Sequence, residues 1–480
     1  MENTNVMSAR VQVKHPWIAM FGMLLGAFVG MFSETSLNIA IPQLEQAFHL
    51  PTSTIQWLVT GYMLVIGIVM PLSSIIGKWF TTRQVVIFAI VAFMIGSIIS
   101  ALAGDFAILL TGRMIQGIGT GLILPTMFAT AMQLFPPQKL GAVNGVMALV
   151  IMFAPAIGPT LTGIILGIAS WRWIFWTFVI FLAIALIFSI CFVKNVGQQT
   201  KPPVDLLSIC ESIIGFSGIV AGASLASELG WLSWQVLTCL VVGIVVFILY
   251  CTRQLKLANP ILNLKVMRNS SFSLGVAVVM LDFEIILSAM YLMPQFIQNA
   301  MGIAVALTGI IMLPGGIINA LVSAIAGRMY DQVGAKLPAT IGFIVAFVGA
   351  LMLAIAGPSS SIPYIIIAHV VLMIGAPLAM SPAQTSALNS LQGPEAGDGS
   401  TIMNTLQQVV GALATALATS FMGMGQAASH GSSAARFANG AHYGFCFTIA
   451  LIVIALILSF KLKGRKAQTR STDIDLDQFK

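Results

Sequence analysis

Fourteen apolar runs, most of them free of charge and each long enough to cross a bilayer, dominate what this chain can fold into. They lie near 17–41, 55–76, 84–103, 107–128, 140–168, 174–193, 206–228, 232–252, 272–297, 303–326, 338–357, 362–385, 400–424 and 442–461. In lipid every backbone N–H and C=O must be satisfied within the protein, so runs of about 20 residues without strict alternation predict spanning helices, not barrel strands. Of 480 residues only 8% are charged, against about 25% in soluble domains, so no large soluble domain fits. The first run follows Arg10 and Lys14 but is too long for a signal peptide, and we read it as a retained first span.

The basic residues set the orientation. Nineteen of the 22 Lys and Arg residues fall in alternate loops and the C-terminal tail, among them Lys78, Arg83, Lys194, Arg253, Lys265, Arg328 and Lys461. Arg172 and Arg436 lie in the opposite loops, and Arg113 lies inside a span. This asymmetry predicts an even number of spans with both termini cytoplasmic. It also accounts for the net charge of +7 without nucleic acid. Cys191, Cys210, Cys239, Cys251 and Cys446 show neither disulfide nor metal-ligand spacing and read as core filler. GKWFTTR (77–83), after the second run, is echoed by GRMYDQVGAK (327–336), after the tenth. Two six-helix halves with two inserted helices between them explain the echo, and in such repeat-built chains the binding site lies between the repeats. The expected divisions are a cytoplasmic N-terminus (1–16), a first bundle (17–193), a linker with two inserted helices (194–271), a second bundle (272–461) and a cytoplasmic tail (462–480).

Four charges interrupt the runs: Glu34, Arg113, Asp282 and Glu284. A charge at the centre of a span costs roughly 2.5–3.5 kcal/mol on insertion scales, so each needs a reason. Glu34 lies eight residues before Pro42 and Arg113 eight after Asp105. At 1.5 Å per residue both are about 12 Å below the same surface, where Arg113 can tune the proton affinity of Glu34. A static buried ion pair is the alternative. Asp282 and Glu284 point about 200° apart on one helix, so only one need face a cavity. His369 is either titratable or a hydrogen-bonded core histidine. No P-loop, HExxH, CxxC or GxSxG occurs, so nothing suggests an enzyme, a cofactor or a metal site. Uphill transport would have to draw on an ion gradient or another subunit. GIGTG (117–121) sits within a span and reads as close helix packing.

RMIQGIGTG (113–121), GVMALVIMFAPAIGPTLTG (145–163), QWLVTGYML (56–64), SWRWIF (170–175), NPILNLKVMRNSSF (259–272) and LPGG (313–316) together resemble the 14-span drug:proton antiporters of the major facilitator superfamily. FSETSLNIA is similar to the lincomycin-type multidrug exporters. The resemblance implies an all-α membrane fold of two six-helix bundles plus two inserted helices, and proton-coupled export of apolar or amphipathic compounds by alternating access. It implies proton coupling at Glu34 and Arg113 and an antiporter motif at Gly145, Gly158, Pro159 and Gly163; Asp282 and Glu284, as charges inside a span, are candidates to assist the coupling. The first-span acid stands one residue later than usual, with Ser33 in its customary place. Thr81 and Thr82 replace the usual Asp of the first loop motif, while Gly77, Gly327, Asp331, Gly334 and Lys336 remain as a cytoplasmic gate. Asn38, Gln56, Tyr62, Gln116 and His369 are candidates to line the substrate cavity. Expected partners are protons, lipid and a drug-like substrate. A dedicated exporter of one metabolite, sugar or lipid, or a non-transporting sensor or scaffold, remain as alternatives.

Overall fold

The computed structural model describes residues 15–135, 137–196, 199, 201, 205–257, 260–391 and 394–462. The expected cytoplasmic tail beyond 462, and Arg10 and Lys14, lie outside them. Among the described residues the chain is helical, with no β-sheet. The long helices are α1 (Pro16–Phe48), α2 (Trp57–Trp79), α3 (Thr82–Ala101), α4 (Phe106–Leu134), α5 (Pro137–Ile168), α6 (Arg172–Phe192) and α7 (Leu206–Leu229). After them come α8 (Trp234–Lys256), α9 (Ser270–Gln295), α10 (Val305–Val333), α11 (Lys336–Ala354), α12 (Ile362–Asn389), α13 (Pro394–Ala427) and α14 (Ser433–Ser459). By length and composition 13 are fit to cross a membrane, and α5, with 32 residues, fills the expected fifth place. A span needs about 20 residues, so α1, with 33, carries its last turns beyond the hydrocarbon or tilts.

Helix starts are fixed by side chains that satisfy the orphan N–H groups of the first turn. Thr81 and Gln84 form a reciprocal capping box at α3. Thr82 Oγ1 donates to Val196 O at 3.0 Å, so the loop without its usual Asp is held by threonines instead. Asp105 caps α4 through Ile108 N at 2.9 Å, and Asn269 caps α9. Between α10 and α11, Gly334 takes φ +77°, a left-handed value that favours glycine.

The two halves repeat one packing scheme. In the first, α1 packs on α4, α5 and α6, α2 on α4, and α3 on α4 and α6; in the second, α9 packs on α12, α13 and α14, α10 on α12, and α11 on α12 and α14. Across the junction α2 meets α13 and α5 meets α10, the pairing that a two-fold axis between halves produces. The helices α7 and α8 pack on each other and, through α7, on α13 and α2, so they cover one of the two seams. Trp17 against Phe135 marks the face where α1 begins, and Phe48 against Trp171 marks the opposite, distal face.

Hydrogen bonds cross the seams in the distal half: Thr60 Oγ1 to Thr415 Oγ1 (3.3 Å), Thr160 Oγ1 to Gly309 O (2.9 Å) and Gln298 Nε2 to Ile39 O (3.2 Å). The bundles are thus joined distally. All five cysteines are free, as their spacing suggests, but the core-filler expectation fails for Cys191, Cys210 and Cys446, which are exposed. An uncharged thiol is tolerated on a lipid-facing helix, so apolar context in sequence did not require burial.

Candidate functional site: the junction of the bundles

Arg113 is fully buried seven residues into α4, and its donors are met by neutral groups. Nε donates to Leu58 O at 3.0 Å, Nη1 to Ser33 Oγ and Gln116 Oε1, and Nη2 to Ser33 O at 3.3 Å. The Tyr62 ring lies 4.0 Å from the guanidinium carbon, close enough for a cation–π contact. Tyr62 Oη donates to Gly30 O at 2.8 Å and lies 2.7 Å from Thr120 Oγ1, while Gln116 Nε2 donates to Ser97 Oγ at 3.0 Å. Tyr62 and Gln116, expected to line a cavity, instead form the cage around this cation inside the first bundle. GIGTG packs as expected: an added methyl would strike Tyr62 O and Val65 from Gly117 or Ala89 O from Gly119.

The alternative of a static Glu34–Arg113 ion pair is not formed, although Arg113 lies near enough for its charge to act on the Glu34 carboxyl; among the described residues Asp205–Arg253 is the ion pair seen. The reason is angular. One residue along a helix is a turn of about 100°, so Ser33, in the customary acidic position, points at Arg113, while Glu34 turns to the seam. There its carboxylate approaches Gln408 of α13, across the junction. Glu34 is 2% exposed, and its Oε2 has no hydrogen-bond partner.

The antiporter segment supports this residue directly. Pro159 has no N–H to give to Pro155 O, and Thr35 Oγ1 donates to that carbonyl at 3.1 Å. A methyl on Gly158 would lie 2.5 Å from Thr35 Oγ1, and one on Gly163 would lie 3.0 Å from Gly309 Cα of α10. One stretch of α5 therefore holds α1 beside Glu34 and touches the second bundle a turn later. The packing around Gly145 and the side chain of Asp331 lie outside the described residues.

Asp282 and Glu284 part company as their spacing predicts. Asp282 shares a helical face with Gly275, which packs on Ala383 and Ala387 of α12; it is fully buried, and neither carboxylate oxygen has a partner. Glu284 shares its face with Ser288, Tyr291 and Gln295, which run to the distal junction. His369 packs on Gly315 of α10 within the second bundle, not on the seam, with Nδ1 unpartnered. It stands seven residues into α12, as Arg113 stands seven into α4.

Asn38 and Gln56 are buried, with both polar atoms of each side chain unpartnered. At the gate, Gly77 has open space around it, Gly327 faces Ser381, and Lys336 begins α11. Among the described residues no group of His, Cys, Asp and Glu side chains is placed to hold a metal ion. Sequence reasoning missed Ser33 as the Arg113 acceptor and Gln408 as the neighbour of Glu34. The family's own position for the first-span acid was the signal for the former; nothing local signalled the latter.

Residues 23–415 match the model of the Major Facilitator Superfamily. The lincomycin resistance protein LmrB of Listeria monocytogenes is 42% identical over 459 residues, covering 94% of this chain and 97% of that protein. LmrB of Bacillus subtilis is 42% identical over 458 residues, covering 93% and 96%. A POT family transporter solved with 5-aminolevulinic acid superposes with a TM-score of 0.68 at 17% identity, covering 93% and 96%, so the likeness is one of fold. The xylose transporter XylE of Escherichia coli, in a partially occluded inward open conformation, gives 0.63 at 16%, covering 95% and 100%. With the two repeated bundles and the charged seam between them, these likenesses establish that the chain belongs to the major facilitator superfamily of membrane transporters.

Proposed function

We propose that the protein exports apolar or amphipathic drugs from the cytoplasm in exchange for protons. The observation that carries this reading is Glu34, a sealed carboxylate with an unpartnered oxygen facing the opposite bundle. Such a group changes its surroundings whenever the bundles rock, because Gln408 moves with α13 while the Ser33–Arg113 clamp stays with the first bundle. A carboxylate between two such environments binds its proton differently in the two states, and that difference is what coupling requires. The LmrB relatives, named for lincomycin resistance, support a drug substrate.

Both termini are cytoplasmic in this reading, as the lysine and arginine distribution requires, and the distal face is the outer one. Residues 17–193 and 272–461 are the rocking bodies, and 194–271 carries the inserted pair. The distally joined state then admits substrate from the cytoplasm. Protonation of Glu34 from outside accompanies drug release, and its deprotonation inside resets the carrier. Glu284, on the seam-facing stripe of α9, assists; Asp282 stays within the second bundle. The gate residues Gly77, Gly327, Asp331, Gly334 and Lys336 close the cytoplasmic side in the other state, and Asn38 and Gln56 line the outer cavity.

Purified protein in liposomes with an imposed pH gradient tests the reading with a panel of apolar and amphipathic drugs, lincomycin included. Glu34→Gln should abolish pH-driven drug accumulation while the variant elutes and melts like the parent. Undiminished accumulation in Glu34→Gln would refute the role of Glu34.

A further inference from the structure

Glu45 takes no part in the reading above. It lies in the last turn of α1, beyond Pro42 and the apolar run, 11 residues past Glu34. Eleven residues span about 16 Å of helix and return to nearly the same face, so Glu34, Asn38 and Glu45 form one polar stripe on α1. Glu284, Ser288, Tyr291 and Gln295 repeat the spacing on α9. The stripes belong to the first helix of each bundle, and they meet at their outer ends. There the Glu45 carboxylate approaches Thr52, in the turn before α2, and Gln295, the last residue of α9. Glu45 Oε1 and Gln295 Nε2 are both shut off from solvent, and neither closes a hydrogen bond in this state.

A second observation lies beside them. Directly after Gln295 the chain widens into a π-helical turn, Phe296–Ala300, a local geometry that often marks functional sites. Its Asn299 Nδ2 donates to Gln295 Oε1 at 2.7 Å, and its Gln298 Nε2 donates to Ile39 O of α1 at 3.2 Å. The amides that join the two bundles at the outer face are thus set around this one carboxyl. Tyr291 is the titratable group facing Glu45 from α9, and it neighbours Thr419 of α13.

We propose that Glu45 and Gln295 form a proton-sensitive latch of the outer gate, closed when the Glu45 carboxyl carries a proton and released when it is ionised. Glu45 is half-buried, with Oε1 shut off from water, and moving a carboxylate charge from water into so largely covered a site is costly unless a cation pairs with it. The groups that meet Glu45 here, Thr52, Gln295 and the Tyr291 phenol, supply no cation. When the helix ends part, water hydrates the carboxylate. Closing the outer gate and taking up an outside proton then become one linked step, independent of the proton on Glu34. An acidic exterior favours the turn of the empty carrier towards the cytoplasm.

Gln46 and Ala304 are exposed on the two sides of this contact. Spin labels at Gln46→Cys and Ala304→Cys, in a full-length background with the five native cysteines replaced, report the opening by pulsed dipolar spectroscopy across a pH series in lipid. The parent should shift from a short to a long distance as pH rises. Glu45→Gln should lose that shift and keep the short distance throughout, and Gln295→Leu should open at lower pH, because the half-buried carboxylate loses its amide neighbour on α9. A Glu45→Gln profile that follows the parent, or a parent distance that ignores pH, overturns the latch. Glu34→Gln in the same labelled background retains the pH-driven shift if the latch is separate, so a failure of the drug–proton reading is told apart from a failure of this one.

Discussion

Replacing Gly158 with alanine offers the sharpest test of how α5 holds α1 at the coupling site. The new methyl would lie 2.5 Å from Thr35 Oγ1, with Phe32 O next at 3.3 Å and Ser36 N at 3.7 Å. The first distance cannot be tolerated, and the hydroxyl must leave its bond to Pro155 O. Overpacking of this kind costs about 1–3 kcal/mol, and the carbonyl left without a donor adds about 1–3 kcal/mol of desolvation. A total of roughly 2–6 kcal/mol follows for Gly158→Ala. In Thr35→Ala the hydroxyl is already absent, so the same methyl meets at nearest the 3.3 Å contact and should cost under about 1.5 kcal/mol. A double-mutant cycle read by reversible unfolding in mixed micelles should therefore give a coupling of about 1–3 kcal/mol between positions 35 and 158. Additive costs would refute the steric account of this glycine and, with it, the claim that α5 positions α1 through Thr35.

Arg113→Lys keeps the charge but not the planar fork that reaches Leu58 O, Ser33 and Gln116 at once. PH-driven drug uptake by liposomes should fall at least about tenfold, the equivalent of roughly 1.4 kcal/mol, with expression unchanged. At the start of α7, Asp205 is held at about 2 by its hydrogen bonds from Arg253 and Ser208. A depressed carboxyl contributes stability above its ordinary range near 4 and loses it as pH falls through about 2. The pair is partly exposed, so solvent screening keeps the contribution small. Parent and Asp205→Asn melting profiles should therefore differ above pH 4 and converge towards pH 2; a constant offset across that range would exclude the linkage.

The distance between a legible and an illegible residue in this chain is often one position. Arg113 was legible as a buried cation because a lone charge in an apolar run has few other uses, and its depth matched that of Glu34. Depth follows from counting residues, but direction depends on how α1 is rotated in its bundle. Packing against α4, α5 and α6 sets that rotation, and it gives Arg113 to Ser33 and Glu34 to the seam. The same holds on α9, where a two-residue spacing shows that Asp282 and Glu284 diverge without showing which of them faces the seam. Gly275 against Ala383 and Ala387 decides it. Glu45 was passed over because it follows the apolar run and looks like a solvated end charge, yet it is half-buried and lies against Gln295 of the opposite bundle.

By itself the sequence determined the helical membrane fold, the fourteen long apolar runs, the repeated halves and the expected orientation. These rest on properties that are local or summed along the chain: the lipid's demand that backbone polar groups be paired, the length of each apolar run, and the charge of each loop. Tertiary structure alone decided which polar atoms meet across the seams, which buried carboxylates remain unpartnered, and where the bundles touch. Those outcomes depend on helix rotation and on contacts between residues hundreds of positions apart, such as Glu34 with Gln408 and Glu45 with Gln295.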